Sequence, residues 1–172
     1  MALIKEVRGK KPVIGKDCFL SDTSVITGDV VIGDQSSVWF NAVIRGDVNE
    51  VRIGSRVNIQ DNATVHCTYE KFSTNIGDDV SIGHNAIVHG CTLQDKVIIG
   101  MGAMVLDGAV VPPFTMVAAG ALVPEGRILE SGFLYMGMPA KKIKPLTEDQ
   151  IEFFIRRTAR NYVKYAGWYN PG

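Results

Sequence analysis

Apolar residues recur at every sixth position along most of the chain, and this repeat predicts the fold. The dipeptide Ile-Gly occurs six times between residues 14 and 100. Steps of six residues join these isoleucines to other aliphatic residues in one register, apart from single steps of nine, eleven and five. The register consists of Ile14, Leu20, Ile26, Ile32, Val38, Ile44, Ile53, Ile59, Val65, Ile76, Ile82, Val88, Leu93, Ile99, Val105, Val111, Val117 and Val123.

A period of six matches neither an α-helix nor the simple alternation of a strand. It fits a three-sided solenoid, in which each unit is one short strand plus one corner and three units complete a coil. The aliphatic residue of each unit then points inward and stacks on its counterpart about 4.8 Å away in the next coil. The 18 positions predict six coils of an all-β parallel β-helix over residues 1–125. The alternative, a β-sandwich, would have turns about every 8–12 residues.

The interruptions and the end of the repeat predict the remaining elements. The long steps indicate a small loop near residues 46–52 and a larger one near residues 67–75. The repeat stops after Val123, and residues 126–146 are expected to form a connector. Thr147 and Gln150 then form a capping-box pattern, followed by apolar residues at helical spacing. We predict an amphipathic helix and tail over 147–172, with the helix packed on the solenoid or on a neighbouring subunit.

Composition and charge exclude several classes of function. The 18 basic and 18 acidic residues give a formal net charge of zero, so a nucleic-acid partner is not expected. The start of the chain lacks the apolar run of a signal peptide, and no stretch has the roughly 20 apolar residues that span a bilayer. We therefore expect a cytoplasmic protein without a membrane partner. Cys18, Cys67 and Cys91 form no CxxC pair, which argues against a disulfide framework.

The three histidines hold specific positions in the register. Arg45, His66 and His89 each follow an inward residue of the same column by one position, so they should lie above one another on successive coils. His84 belongs to another column, about 16 Å from His89 if the chain between them is extended. A second copy of the chain could bring its His84 to the other two. The sequence therefore predicts a site between subunits, and a three-sided solenoid favours a homotrimer.

Three imidazoles with one open position form the ligand set of a catalytic zinc site. Imidazole also binds iron and cobalt, so the identity of the metal stays open. The alternative is that each histidine is an ordinary surface or interface residue. Cys67 and Cys91 lie next to these histidines in the sequence, and we expect both to be structural rather than metal ligands.

Four motifs within residues 1–145 resemble those of a known protein family. They are Asn-Ala-Val-Ile-Arg-Gly-Asp at 41–47, Asn-Ile-Gln-Asp-Asn at 58–62, Val-His at 65–66, and Ile-Gly-His-Asn-Ala-Ile-Val-His-Gly-Cys at 82–91. Together they resemble the gamma-class carbonic anhydrases and their short-loop bacterial relatives in the hexapeptide-repeat transferase superfamily. The resemblance implies a left-handed parallel β-helix and a trimer with one metal at each interface, held by His66, His84 and His89. It also implies reversible hydration of carbon dioxide to bicarbonate by a metal-bound hydroxide.

The same resemblance implies roles for residues beside the metal. Gln60 would orient the hydroxide, while Asn58 and Asp61 would line the site. Arg45 and Asp47 would form an ion pair at the subunit interface.

One further residue matches the family, and two features of the chain depart from it. Alignment through the connector places Tyr135 near the metal. The best-studied members have Glu after the Arg-Gly-Asp, where this chain has Val48. They also have an acidic loop with a proton-shuttling glutamate, whereas residues 67–75 are short and nearly neutral, with Glu70 as their only acid. These departures match the shorter subclass, in which hydration activity varies.

Two other functions stay open from the sequence. Acyltransferases with this repeat bind acyl-CoA between neighbouring β-helices and use a histidine as base, and some relatives of the short-loop subclass are linked to thioester hydrolysis. A non-catalytic trimer with a structural metal is the third possibility.

Overall fold

The computed structural model describes residues 1–169, so residues 170–172 of the predicted tail lie outside the described part. The described chain forms short strands followed by a C-terminal helix. The strands are β1 (Leu3–Lys5), β2 (Val13–Ile14), β3 (Phe19–Leu20), β4 (Val25–Ile32), β5 (Ser37–Val38), β6 (Val43–Ile53), β7 (Asn58–Ile59), β8 (Thr64–His66), β9 (Thr74–Ile76), β10 (Ser81–Ile82), β11 (Ile87–His89), β12 (Thr92–Leu93), β13 (Ile98–Ile99), β14 (Met104–Val105), β15 (Val110–Val111), β16 (Met116–Val117), β17 (Leu122–Val123), β18 (Phe133–Met136) and β19 (Lys141–Pro145). The helix consists of α1 (Glu148–Gln150), a π-helical segment (Ile151–Arg156) and α2 (Arg157–Gly167).

The strands of the solenoid pair in parallel with strands one coil before and one coil after. Strand β8 lies between β6 and β11, and the register aligns Ile44 with Val65 and Val65 with Val88. All three side chains are fully buried. The inward residues of the six-residue repeat therefore form columns through the core, and the predicted parallel β-helix is confirmed.

The solenoid has about seven turns rather than the predicted six. At the N-terminus, β1 aligns Ile4 with Ile26. At the other end, β18 aligns Tyr135 with Val117, and Leu129 is buried in the same core. The repeat does not reveal these positions because the step from Ile4 to Ile14 is ten residues instead of six, and because an aromatic residue replaces the last aliphatic one. Residues 126–146 are thus more than a connector: they extend the solenoid and end in the antiparallel hairpin β18–β19.

The two interruptions of the repeat differ in structure. Strand β6 is continuous across residues 46–52, where its pairing with β4 shifts register after Gly28 and Gly46. The predicted small loop is therefore wrong, because the extra residues form a bulge within a long strand. The second interruption is a loop, as predicted, and a bridge between Thr68 and Phe72 closes it.

The C-terminal helix packs on the solenoid of its own chain. Thr147 and Gln150 exchange the two hydrogen bonds of the predicted capping box. Ile155 and Ala159 are buried on the inner face of the helix, and the ring of Tyr162 meets Trp39 edge-on with centroids 5.3 Å apart. Among residues 1–169, no helix has the length and apolar character needed to cross a membrane.

Candidate metal centre

His66 and His89 lie side by side on adjacent coils. The pairing of β8 with β11 sets their Cα atoms opposite each other, and Nδ1 of His66 is 3.1 Å from Nε2 of His89. The stacking predicted from the register is confirmed for this pair. Because both residues follow inward-pointing valines, their rings lie on the outer face of the solenoid.

A carboxylate holds the other nitrogen of each ring. Nε2 of His66 lies 3.1 Å from Asp47, and Nδ1 of His89 lies 2.6 Å from Asp107. Such contacts fix the tautomer of metal-binding histidines. If each carboxylate accepts a ring N–H, the two facing nitrogens are both left with lone pairs. Two such nitrogens 3.1 Å apart are close enough to bind one metal ion together.

The third histidine lies at a different corner. His84 follows β10, and its Nδ1 is 2.7 Å from Asp61, whose other oxygen accepts the backbone N–H of Phe40 at 3.2 Å. This contact leaves Nε2 of His84 for another partner. Within residues 1–169 of a single chain, no three His, Cys, Asp or Glu side chains form a group that could hold a metal ion. One chain therefore brings two of the predicted ligands together and holds the third apart.

The surroundings of His66 and Asp47 favour a neutral imidazole beside an ionised carboxylate. Burial lowers the pKa of His66, although the hydrogen bond to Asp47 opposes this effect. Burial alone would raise the pKa of Asp47, but His66 and the charge of Arg45 hold it below its ordinary value. Arg45 and Asp47 form an ion pair within one chain, at 2.7 Å, and the position of this pair at a subunit interface stays a prediction. Neutral imidazole is the form that binds metals.

Buried hydrogen bonds link Gln60 to Asn58 and Asn58 to Ser81. Nε2 of Gln60 donates to Oδ1 of Asn58 at 2.9 Å, and Nδ2 of Asn58 donates to Ser81 at 2.7 Å. All three side chains are buried. These hydrogen bonds fix the orientation of the Gln60 amide and leave its carbonyl oxygen as an acceptor.

Comparisons with known proteins agree with this arrangement. The family model described as "Bacterial transferase hexapeptide (six repeats)" matches residues 11–46. A carbonic anhydrase from Geobacillus kaustophilus is 42% identical over 97% of this chain and 91% of its own length. Gamma carbonic anhydrase 2, a mitochondrial protein of Arabidopsis thaliana, is 44% identical over 95% of this chain. The chain belongs to the gamma carbonic anhydrase-like family of hexapeptide-repeat proteins.

The match was also compared for the length of chain that it covers and for similarity to a solved structure. The chain spans 60% of the length of the Arabidopsis protein. A solved structure of a hexapeptide transferase family protein from Anaplasma phagocytophilum has a TM-score of 0.90 and 36% identity, and the match covers 97% of this chain and 98% of that one. The fold of the gamma carbonic anhydrase-like family is thus also that of a protein named a transferase.

The structure does not bring Tyr135 to the histidine pair. Its side chain is buried in the core of the last coil, with 2% of its surface exposed. Its hydroxyl oxygen accepts the backbone N–H of Glu130 at 2.8 Å. The resemblance placed Tyr135 by alignment through residues 126–146, which form the last coil instead of a connector. We therefore assign this tyrosine a structural role.

Asp107 is a residue of this site that the sequence reasoning missed. Besides contacting His89, its carboxylate accepts the hydroxyl of Thr68 at 2.5 Å and so ties the loop after β8 to the site. These two contacts hold the pKa of Asp107 below its ordinary value, although burial opposes them. A signal existed, because Asp107 stands two residues after Val105, which is the next inward residue of the histidine column.

The remaining candidates near the histidines are not metal ligands within the chain. Cys67 and Cys91 are buried in the core, and Sγ of Cys67 contacts the backbone oxygen of Asn49 at 3.2 Å. Glu70 is exposed at the tip of the loop that follows β8.

Proposed function

We propose that this protein is a zinc-dependent carbonic anhydrase of the gamma type, which hydrates carbon dioxide reversibly at sites shared between the subunits of a homotrimer. The observation that carries the proposal is the histidine pair, in which two ring nitrogens face each other at 3.1 Å. Asp47 and Asp107 hold the opposite nitrogens of the same rings. The similarity to proteins named carbonic anhydrase supports the reaction.

Three nitrogens of the protein would hold the ion. They are Nδ1 of His66 and Nε2 of His89 from one chain, and Nε2 of His84 from a second copy. The contact between His84 and Asp61 supports this assignment because it gives the third ring the same carboxylate support as the other two. When bound, the ion would lower the pKa of a water molecule and supply the nucleophile for carbon dioxide. Iron or cobalt would suit the same ligands.

Gln60 would orient the attacking oxygen. Its amide nitrogen is anchored to Asn58, so its carbonyl oxygen can accept a hydrogen bond from a hydroxyl group at the site. Because Asn58 is itself held by Ser81, the acceptor is fixed before the reaction begins. Such fixed polar groups accelerate reactions because they need no reorganisation when charge moves.

The proton produced by hydration would leave through the buffer. The short loop after β8 has Glu70 as its only acid, and this side chain is exposed at the tip of the loop. Neither sequence nor structure supports a dedicated shuttle in the loop. The rate should therefore rise with buffer concentration.

The test is a stopped-flow hydration assay on protein of known zinc content. Activity should follow zinc content, disappear on chelation and return when zinc is restored. Stoichiometric zinc without hydration above the buffer rate would overturn the enzyme assignment. A panel of coenzyme A thioesters covers the alternative, because acyl transfer that survives chelation would indicate a histidine-base transferase.

A further inference from the structure

A small cavity lies between the C-terminal helix and the corner of the solenoid that carries Asp61. Its volume is about 280 Å³. Asp61 and six aromatic side chains line it. The aromatic residues are Trp39, Phe40, Tyr162, Tyr165, Trp168 and Tyr169.

Neighbouring rings in this lining stand at steep angles to one another, and we call the six rings together the aromatic box. Trp39 and Tyr162 meet at 86° with centroids 5.3 Å apart, and Trp39 and Tyr169 meet at 88°. Phe40 and Tyr169 form a further corner at 63°. The faces of aromatic rings carry partial negative charge, so a lining made of six rings attracts a cation wherever a ring face is accessible from the cavity.

The lining also carries a negative charge, which favours a cation as the aromatic rings do. Asp61 is its one carboxylate, and no Lys or Arg is among the described residues around the cavity. Burial, followed by the negative charge of Asp61, raises the pKa of Tyr162 to about 12, so this phenol is neutral at physiological pH. An anion would be repelled by Asp61, and a neutral apolar ligand would gain nothing from the carboxylate.

We propose that this cavity binds a small organic cation, such as a quaternary ammonium group. In the proposed trimer, the site would lie next to the third metal ligand, because Asp61 also holds His84. Recognition depends on the aromatic box and Asp61 and does not require a bound metal. The proposal therefore stands apart from the hydration of carbon dioxide.

The chain offers a direct optical probe of the cavity. It contains two tryptophans, Trp39 and Trp168, and both line the cavity. We would titrate the intact protein, freed of metal by a chelator, with choline at constant ionic strength and follow tryptophan fluorescence. The uncharged isostere 3,3-dimethyl-1-butanol is the matched ligand control. Choline should give a saturable change with a Kd about tenfold or more below that of the alcohol.

Two variants test whether choline binds within the aromatic box. Phe40→Leu removes one wall and should weaken choline binding by about fivefold or more. Phe153→Leu changes an exposed ring outside the cavity and should leave binding unchanged. If circular dichroism shows that Phe40→Leu does not fold, Tyr165→Leu replaces it. Equal affinity for choline and the alcohol, no saturable change with choline, or wild-type affinity in the folded wall variant would each overturn the proposal.

Discussion

His66 and His89 face each other on adjacent coils with their nearest ring nitrogens 3.1 Å apart. Register alone sets their Cα atoms opposite each other, but Asp47 and Asp107 determine which nitrogens meet. The rings are thus arranged for a shared ligand before one binds. This arrangement supplies two of the three positions that a histidine-bound zinc requires.

Asp107 should support metal binding through His89. Asp107→Asn removes the charge that holds Nδ1 of His89, and we expect zinc affinity to fall about 10–100-fold. Asp95→Asn is the matched control, since Asp95 accepts a backbone N–H at another corner of the solenoid. Competition with a chelating dye measures both affinities. Equal affinity of the two variants would contradict the positioning role.

Gln60 should matter for turnover and not for the metal. Gln60→Leu removes the oriented amide, so kcat/KM for carbon dioxide should fall by roughly 100-fold, while zinc content stays unchanged. Gln94 follows the inward Leu93 at the equivalent position of another column and is exposed, so Gln94→Leu should be near wild type. Loss of zinc from Gln60→Leu, or unchanged turnover, would argue against this assignment.

The close approach of Gly28 to Gly46 should be required for both stability and the site. A Cβ atom on Gly28 would lie 2.3 Å from the backbone oxygen of Gly46, one residue before Asp47. Gly28→Ala must therefore move β4 or β6 and should disturb the contact between Asp47 and His66.

Gly102 provides the control for backbone conformation. Both glycines have positive φ, but a Cβ on Gly102 meets nothing within 4 Å. Gly102→Ala should cost about 1–2 kcal/mol of unfolding free energy, and Gly28→Ala should cost more and also weaken zinc binding. Denaturation at fixed protein concentration and dye competition measure the two effects. Similar losses in both variants would show that the close approach has no special role.

The cysteines should behave as core residues. Burial raises the pKa of Cys91 to about 12 and also raises that of Cys67, so both thiols stay protonated and shielded at pH 8. A thiol-reactive dye should label neither until the protein is unfolded, when all three cysteines react. Rapid labelling of Cys67 or Cys91 in the native protein, located by peptide mapping, would contradict their burial in the core.

Most of the fold could be predicted from the sequence because the geometry of the coils produces the six-residue repeat. One inward aliphatic residue per strand must recur wherever a coil stacks on the next. The prediction failed at the two ends of the solenoid: Ile4, which is 39% exposed, stands outside the regular spacing, and Tyr135 fills an inward position with an aromatic ring. The bulge in β6 was missed because residue spacing shows that extra residues are present and not whether they leave the strand.

The histidine pair could be predicted for the same reason, since column positions give neighbours across coils. Asp107 belongs to the next coil of that column and was also within reach of this argument. The position of Tyr135 was not, because alignment through residues 126–146 assumed a connector. The hydrogen bonds that orient Gln60 depend on side-chain rotamers, which the repeat does not specify.

The central claim, a metal site completed by His84 of a second copy, is tested most directly by mixed trimers. His84→Ala and His89→Ala chains should each bind zinc poorly alone. In a three-fold ring, every trimer that contains both variants has one interface with an intact His66–His89 pair and an intact His84. Random co-assembly should therefore restore about one quarter of wild-type zinc and activity. No recovery above the separate variants, although mass spectrometry shows mixed trimers, would contradict the shared site.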